Sequence, residues 1–129
     1  MFANIEAVML DLDGTLVNTL GDFDVALNAM LRELRRPPIG REQIEKLVGR
    51  GGEHLVRSAL ALQDGGLLPD EALFEQAWQS YTRAYARING QNSQAYPGVA
   101  QGLADLQALG LPLVCLTNKP QQQIGRAHV

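Results

Sequence analysis

Two aspartates one residue apart, Asp11 and Asp13, follow a short apolar run and precede Gly14. In an extended backbone, residues two apart face the same side, so both carboxylates face one way while Leu12 faces a core. Two like charges held this close repel, and a divalent cation relieves the repulsion. Mg²⁺ suits such a pair, because it commonly binds one or two carboxylates together with substrate phosphate and water. An isolated Asp-x-Asp pair is more often a solvated turn, so the pair alone leaves both interpretations open.

The apolar runs in the chain predict the strands that position these side chains. Residues 7–10 have the length and branching of a strand buried on both faces. Residues 111–116 predict a second buried strand, and it ends at Thr117 and Asn118. The Thr117 hydroxyl and the Asn118 backbone N–H are donors of the kind that a phosphoryl oxygen needs. Open α/β sheets bind ligands at the carboxyl ends of their strands, so we expect one shared site at this edge.

Apolar residues at helical spacing fill the chain between the two strands. They predict helices over about residues 19–36, 41–48, 53–62 and 69–88, and a fifth helix over residues 99–109. Thr19 followed by Asp22 predicts a capping box at the start of the first helix. The aromatic residues of the fourth helix are most simply packing residues, and residues 89–94 are predicted to be a polar connector.

A glycine cluster at residues 49–52 surrounds Arg50. Three glycines in four residues permit a close approach of the backbone to a ligand, and the forked Arg50 cation suits a carboxylate or a phosphate. A flexible turn with a solvated arginine explains the same residues equally well.

Composition excludes several classes of partner. The chain has 129 residues, 46% of them hydrophobic, which is enough for one domain with a sizeable core. Its net charge of −3 and its lack of a basic run argue against nucleic acid as a partner. The single cysteine, Cys115, lies in an apolar run and is predicted to be a buried structural thiol in a reducing compartment. No leader-like start and no apolar run long enough for a membrane span are present, so we expect a cytoplasmic protein without a membrane partner.

Two longer strings carry a family resemblance. Residues 11–19 read Asp-Leu-Asp-Gly-Thr-Leu-Val-Asn-Thr after an apolar strand, and they resemble the first motif of the haloacid dehalogenase superfamily, whose members include aspartate-nucleophile phosphatases and phosphotransferases. Residues 117–119 read Thr-Asn-Lys and resemble the second motif. The dehalogenase branch lacks the second acid of the first motif, so Asp13 favours phosphoryl chemistry. Lys119 belongs to the second-motif loop and is not assigned as the third-motif lysine of that superfamily.

The resemblance implies a role for each motif residue. Asp11 would attack phosphorus and Asp13 would act as general acid and then base. Mg²⁺ would bind the Asp11 side chain and Asp13 through its backbone carbonyl. Thr117, Asn118 and Gly14 would bind the phosphoryl group of the substrate.

The resemblance also implies a fold and a division of the chain. We expect an α/β protein with a partial Rossmann-like parallel sheet core at residues 1–17 and 91–129, and an inserted helical cap at residues 18–90. The superfamily carries a third-motif lysine and a fourth-motif acidic pair on further strands. Because the sequence ends at Val129 without them, we expect an incomplete core and an inactive or impaired fragment.

Within the capped branch, both motifs, the glycine cluster and the string Tyr-Pro-Gly-Val at residues 96–99 look like those of phosphoglycolate phosphatases. This implies a Mg²⁺-dependent hydrolase of a small phosphorylated metabolite, with phosphoglycolate preferred and Arg50 near the leaving group. A phosphotransferase such as a sugar-phosphate mutase is the neighbouring alternative. A non-catalytic chain that acts only as a binding module is the alternative from another class, and the oligomeric state stays open.

Overall fold

The computed structural model describes residues 4–117 and residue 119. The elements in chain order are β1 Val8–Asp11, β2 Val17–Asn18, α1 Leu20–Glu33, α2 Arg41–Leu47, α3 Gly52–Gln63, α4 Glu71–Ile88, β3 Gln94–Ala95, α5 Val99–Ala108 and β4 Leu113–Leu116. The predicted order of a strand, four helices, a further helix and a second strand is confirmed. Most predicted helix ends agree with the observed ends within about two residues.

Strands β1 and β4 form a two-stranded parallel sheet. Asp11 pairs with Leu116 in the register, so the carboxyl ends of the two strands lie side by side. Asp11 is therefore adjacent to the point where the chain leaves β4 toward Thr117. The expected mixed α/β architecture with a small parallel sheet is confirmed.

Helices α1 to α4 pack together as a bundle with its own apolar core. The largest fully buried side chains all lie in these helices, apolar residues of α1, α2, α3 and α4 among them. The buried core residues are Ala26, Leu27, Met30, Leu31, Ile39, Ile44, Leu55, Val56, Ala59, Leu60, Phe74, Ala77, Tyr81, Ala84 and Tyr85. The aromatic residues of α4 do pack, as predicted, since the rings of Phe74, Tyr81 and Tyr85 are buried.

The two chain segments that connect the strand pair with the bundle run next to each other. β2 and β3 pair antiparallel, with Val17 opposite Ala95 and Asn18 opposite Gln94. The backbone N–H of Tyr96 also donates to the carbonyl of Leu16 at 3.1 Å. The sequence predicted only a polar connector here, because a two-residue strand carries no periodic pattern of its own.

The capping box predicted from Thr19 and Asp22 at the start of α1 is wrong. Thr19 precedes the helix but makes no side-chain capping bond. The carboxylate of Asp22 is fully buried and instead accepts hydrogen bonds from the Gly90 N–H, the Asn92 N–H and the Ser93 hydroxyl. The carboxylate thus joins α1 to the segment after α4. A buried charge needs hydrogen-bond donors, and these bonds stabilise the chain more than a cap at an exposed helix end would.

The expectation that both faces of the two strands are buried is also wrong. Met9, Val114 and Leu116 are exposed, and so is Cys115, which is therefore not a buried structural thiol. Burial on both faces requires a covering layer on each side of a sheet. Within the described part of the chain, β1 and β4 pair only with each other, and α5 has no buried residue.

No helix among the described residues is long and apolar enough to cross a membrane.

Candidate active site

Asp11 and Asp13 both line a cavity of about 440 Å³ at the carboxyl end of the strand pair. Asp11 is the last residue of β1, and Asp13 follows in a tight turn in which the N–H groups of Leu16 and Val17 donate to the carbonyl of Leu12. The Leu12 side chain is buried, as predicted from the alternation of side chains. The pair therefore faces one cavity, which is what the two-residue spacing predicts.

Gly14 makes the turn after the aspartates possible. Its φ of +79° lies in the left-handed region that side chains disfavour, and its N–H donates to the Val17 carbonyl at 2.9 Å. Gly14 also lines the cavity. This residue thus directs the chain back over the strand end and leaves the backbone open toward a ligand.

Asp11 is exposed and held by two donors. Its Oδ1 accepts the N–H of Leu12 at 2.9 Å, and its Oδ2 accepts the hydroxyl of Thr15 at 3.2 Å. Each carboxylate oxygen has room for a further partner, because an ionised carboxylate offers about four acceptor positions. The geometry therefore orients the Asp11 carboxylate and leaves it accessible from the cavity.

Asp13 is less exposed and lies beside Lys119. The Lys119 Nζ is 3.4 Å from Asp13 Oδ1, and the lysine side chain is 1% exposed. Burial raises the pKa of the Asp13 carboxyl, while the Lys119 charge and hydrogen bond act against that rise. Burial likewise lowers the pKa of Lys119, against the opposing charge of Asp13. The environment thus moves Asp13 toward the protonated form, which an acid in catalysis requires.

Thr117 lines the same cavity, across the parallel pair from Asp11. Its Oγ1 accepts the backbone N–H of Lys119 at 3.0 Å, and the hydroxyl still carries a proton to donate. The two predicted strand ends and the motifs led us to expect Thr117 and Asp11 at one edge, and the strand register brings their backbones to that edge. Asn118 lies outside the described residues, so its predicted contact with phosphate stays a prediction.

Lys119 is the residue that the sequence analysis left without a role. Its Nζ donates to the Tyr85 hydroxyl at 2.6 Å and lies 5.6 Å from the Phe23 ring centroid and 5.0 Å from that of Tyr85. The only sequence signal was a lysine next to the second motif. Its partners Tyr85 and Phe23 lie in the helical bundle, far away in sequence, so spacing could not reveal them.

The helices form the roof of the cavity. The apolar and aromatic residues of this roof come from α1, α3 and α4, from the end of α2 and from the loop after β3. They are Leu20, Phe23, Val48, Leu55, Trp78, Tyr81 and Tyr96. Gly49, Gly51 and Gly52 of the glycine cluster also line it. A Cβ atom at Gly52 would lie 3.2 Å from the Trp78 ring, so glycine permits the close contact between loop and roof.

Arg50 is exposed and is not among the described residues that line the cavity. The flanking glycines Gly49 and Gly51 have φ values of +110° and +91°, which turn the backbone sharply at this point. The structure therefore does not bring Arg50 together with Asp11, Asp13 and Thr117. Its role near the leaving group stays a prediction.

The residues present fit a Mg²⁺ ion of the kind that depends on its substrate for further ligands. Among the residues that the structure describes, no group of three or more His, Cys, Asp or Glu side chains could hold a metal. Asp11 supplies an accessible carboxylate at the cavity, and Asp13 adds the backbone carbonyl that the resemblance assigns to the metal. Mg²⁺ commonly uses one or two carboxylates, with substrate phosphate and water as the other ligands.

Adjacent parallel strand ends that carry two carboxylates and a hydroxyl below a helical roof are typical of an α/β enzyme with a ligand site at the sheet edge. Comparison with known proteins agrees with this class and identifies the family. The chain belongs to the haloacid dehalogenase-like hydrolase family, whose family model matches residues 5–128.

Relatives and solved structures agree with this family. The chain is 42% identical over 117 residues to a phosphoglycolate phosphatase of Nitrosospira multiformis, covering 91% of this chain and 51% of that protein. It is 44% identical over 117 residues to a phosphoglycolate phosphatase of Pseudomonas syringae pv. syringae, covering 89% and 42%. A crystal structure of a predicted phosphoglycolate phosphatase from Haemophilus somnus superposes with a TM-score of 0.79 at 27% identity, covering 92% and 53%. The chain thus spans about half the length of the curated relatives it matches.

Proposed function

We propose that this chain carries the catalytic residues of a Mg²⁺-dependent phosphomonoester hydrolase, namely its nucleophile and its general acid and base. The helices that cover the cavity would select the substrate. One observation carries the proposal: Asp11 and Thr117 leave adjacent parallel strands at the same edge and line one cavity together with Asp13. Similarity to phosphoglycolate phosphatases favours phosphoglycolate as the substrate, because the chain is more than 40% identical to two of them.

The proposed reaction proceeds in two steps. An Asp11 carboxylate oxygen attacks phosphorus, an aspartyl phosphate forms, and the bond between phosphorus and the leaving oxygen breaks while Asp13 gives its proton to that oxygen. Water then attacks phosphorus, Asp13 takes a proton from it, and inorganic phosphate leaves the restored Asp11. The raised pKa of Asp13 supports its first role, since the acid must hold a proton when the leaving oxygen departs.

Other groups would bind the phosphoryl group during both steps. The Thr117 hydroxyl would donate to one phosphoryl oxygen, and the backbone at Gly14 would permit its close approach. The Asp11 side chain and the Asp13 backbone carbonyl would hold Mg²⁺. A bound Mg²⁺ ion neutralises charge on the phosphoryl oxygens and on Asp11.

We further propose that residues 18–90 act as a cap over a core formed by residues 1–17 and 91–129. The separate apolar core of α1 to α4 supports this division. The paired segments β2 and β3 support it as well, because they are the two crossings between the proposed units.

The test is a phosphatase assay with and without Mg²⁺ on the chain and on the longest open reading frame that contains it. Phosphoglycolate, sugar phosphates and other small monoesters serve as substrates, and analysis of products separates phosphate release from transfer to a sugar. Asp11→Asn should lower kcat by roughly a thousandfold or more, as expected for a lost nucleophile.

Asp105→Asn is the matched control, because Asp105 is exposed on α5 and accepts a hydrogen bond from Gln101 of the same helix. It should leave kcat unchanged. The proposal fails if no Mg²⁺-dependent release of phosphate is found, or if Asp11→Asn is as active as the parent protein.

A further inference from the structure

Lys119 connects the proposed acid to the helical bundle. Its ammonium donates to the Tyr85 hydroxyl at 2.6 Å, and it lies 3.4 Å from Asp13 Oδ1. Tyr85 belongs to α4, whereas Lys119 and Asp13 belong to the loops that leave the two parallel strands. One buried ammonium therefore contacts both the strand edge and the bundle.

The position of Lys119 is defined on several sides. The Phe23 and Tyr85 rings lie near the ammonium, at 5.6 Å and 5.0 Å from ring centroid to Nζ. The two rings stack on each other with centroids 5.7 Å apart, so the ammonium lies beside a packed aromatic pair. A buried charge without partners is strongly unfavourable, which favours an arrangement in which the lysine keeps its contacts with both the Asp13 carboxylate and the Tyr85 hydroxyl.

Tyr85 itself has little freedom to move. It is 1% exposed, and its ring also contacts that of Tyr81 at a centroid distance of 5.8 Å. A hydroxyl fixed by a packed ring provides a stationary acceptor for Lys119. Lys119 in turn provides a donor for Oδ1 of Asp13, and the Thr19 side chain also bonds to this carboxyl group, so Asp13 is held by two partners.

We propose that Lys119 and Tyr85 are positioning residues that hold the Asp13 carboxyl group in the orientation needed to give a proton to the leaving oxygen. This inference rests on the proposed function, and it adds two residues to it. Lys119 acts through Asp13, and Tyr85 acts through Lys119. The helical bundle thus contributes to the chemistry as well as to the roof of the cavity.

The leaving group of the substrate distinguishes positioning from a merely structural role. An alkyl phosphate such as phosphoglycolate releases a poor leaving group that needs a proton. 4-Nitrophenyl phosphate releases a far more acidic alcohol that leaves without one. Loss of positioned acid should therefore affect the alkyl ester strongly and the nitrophenyl ester weakly, whereas general damage to the fold should lower both rates equally.

The experiment measures kcat/KM for both esters on the longest open reading frame that contains the chain. This ratio reports the steps up to departure of the leaving group, so the later role of Asp13 as a base toward water does not enter it. Asp13→Asn should lower kcat/KM for the alkyl ester by about 10²- to 10⁴-fold more than for the nitrophenyl ester. Tyr85→Phe removes one hydroxyl and keeps the ring, and it should lower the alkyl rate selectively by roughly five- to tenfold. Lys119→Met should give a selective loss between these two values.

Lys46→Met is the matched control, since Lys46 is exposed on α2 and does not line the cavity. It should leave both rates and their ratio unchanged. Should Lys119→Met fail to fold, Tyr85→Phe alone decides the question, because it retains the stacked rings.

The outcomes separate the two proposals. An absence of leaving-group selectivity in Asp13→Asn contradicts the acid role in the proposed function, and the inference falls with it. Selectivity in Asp13→Asn combined with equal losses on both esters in Tyr85→Phe overturns the inference and leaves the proposed function standing. Selective loss in all three variants supports both.

Discussion

The helical bundle and the strand pair differ in how much of their apolar surface they bury. The bundle buries fifteen hydrophobic core residues, many of them completely. In β1, β4 and α5, all of which lie within the described residues, no side chain is buried. Yet the carboxylates and the hydroxyl of the candidate site belong to the strand pair, and the bundle contributes the roof and Tyr85.

The difference shows that packing and chemistry lie in different parts of this chain. The bundle obtains its stability from apolar contacts among its four helices, most extensively between α1 and α4. The strand pair depends on contacts between residues about a hundred positions apart, as between Leu10 and Cys115. We therefore expect substitutions in the bundle to change the free energy of unfolding far more than equivalent substitutions in the strand pair and α5.

Two leucines give the largest expected contrast. Leu31 in α1 is fully buried, whereas Leu109 after α5 is 69% exposed. Leu31→Ala should lower the free energy of unfolding by about 2–5 kcal/mol, because it opens a cavity in a packed core. Leu109→Ala should change it by less than about 0.5 kcal/mol. Urea unfolding followed by circular dichroism measures both, and equal losses would contradict the comparison.

Two aspartates test the polar connection between α1 and the segment after α4. Asp22→Asn replaces one acceptor oxygen by an NH₂ group, so at least one of the three donors from Gly90, Asn92 and Ser93 loses its acceptor. We expect a loss of about 2–3 kcal/mol, typical of a hydrogen bond to a buried charge. Asp105→Asn on exposed α5 should change stability by less than about 0.5 kcal/mol. Similar values for both variants would show that the Asp22 contacts are dispensable.

Two helical glycines should respond with opposite signs. A Cβ atom at Gly21 would lie 2.5 Å from the Asn92 carbonyl oxygen, whereas one at Gly102 would have nothing within 4 Å. Gly21→Ala should therefore destabilise the chain by about 1–3 kcal/mol through overpacking. Gly102→Ala should stabilise it by roughly 0.5–1 kcal/mol, because alanine loses less backbone entropy in a helix. Thermal unfolding of both variants checks the signs, and the same sign for both would contradict the structure.

Cys115 gives the smallest effect and tests exposure of the strand pair directly. A thiol reagent should label Cys115 in the folded chain without denaturant, because the residue is exposed. Partial desolvation and the charges of Asp11 and Asp13 raise the pKa of the Cys115 thiol. The reactive thiolate is therefore scarcer at neutral pH than in the unfolded chain, and the two labelling rates should converge as the pH rises above that pKa. Complete protection of the folded chain would contradict the exposed sheet.

Helices were the easiest feature to predict, since each carries apolar residues at helical spacing over several turns. Strand burial was predicted wrongly, because the apolar runs around Met9 and Cys115 are typical of strands covered on both sides, and no covering layer exists among the described residues. The pairing of β2 with β3 could not be predicted from the sequence, since two-residue strands are too short to show an apolar period. Asp22 looked like part of a helix cap. Its carboxylate is instead buried against residues 90–93, which donate hydrogen bonds to it and lie far away in sequence.

By itself, the sequence determined the local features: the periods of the helices, the turn at Gly14 and the two carboxylates that face one side of a strand end. Tertiary structure alone decided that Lys119 lies between Asp13 and Tyr85 and that Arg50 is not among the described residues that line the cavity. The reason is physical. Local patterns record which face of an element is apolar, whereas the partner of a buried charge depends on which distant elements share the same space.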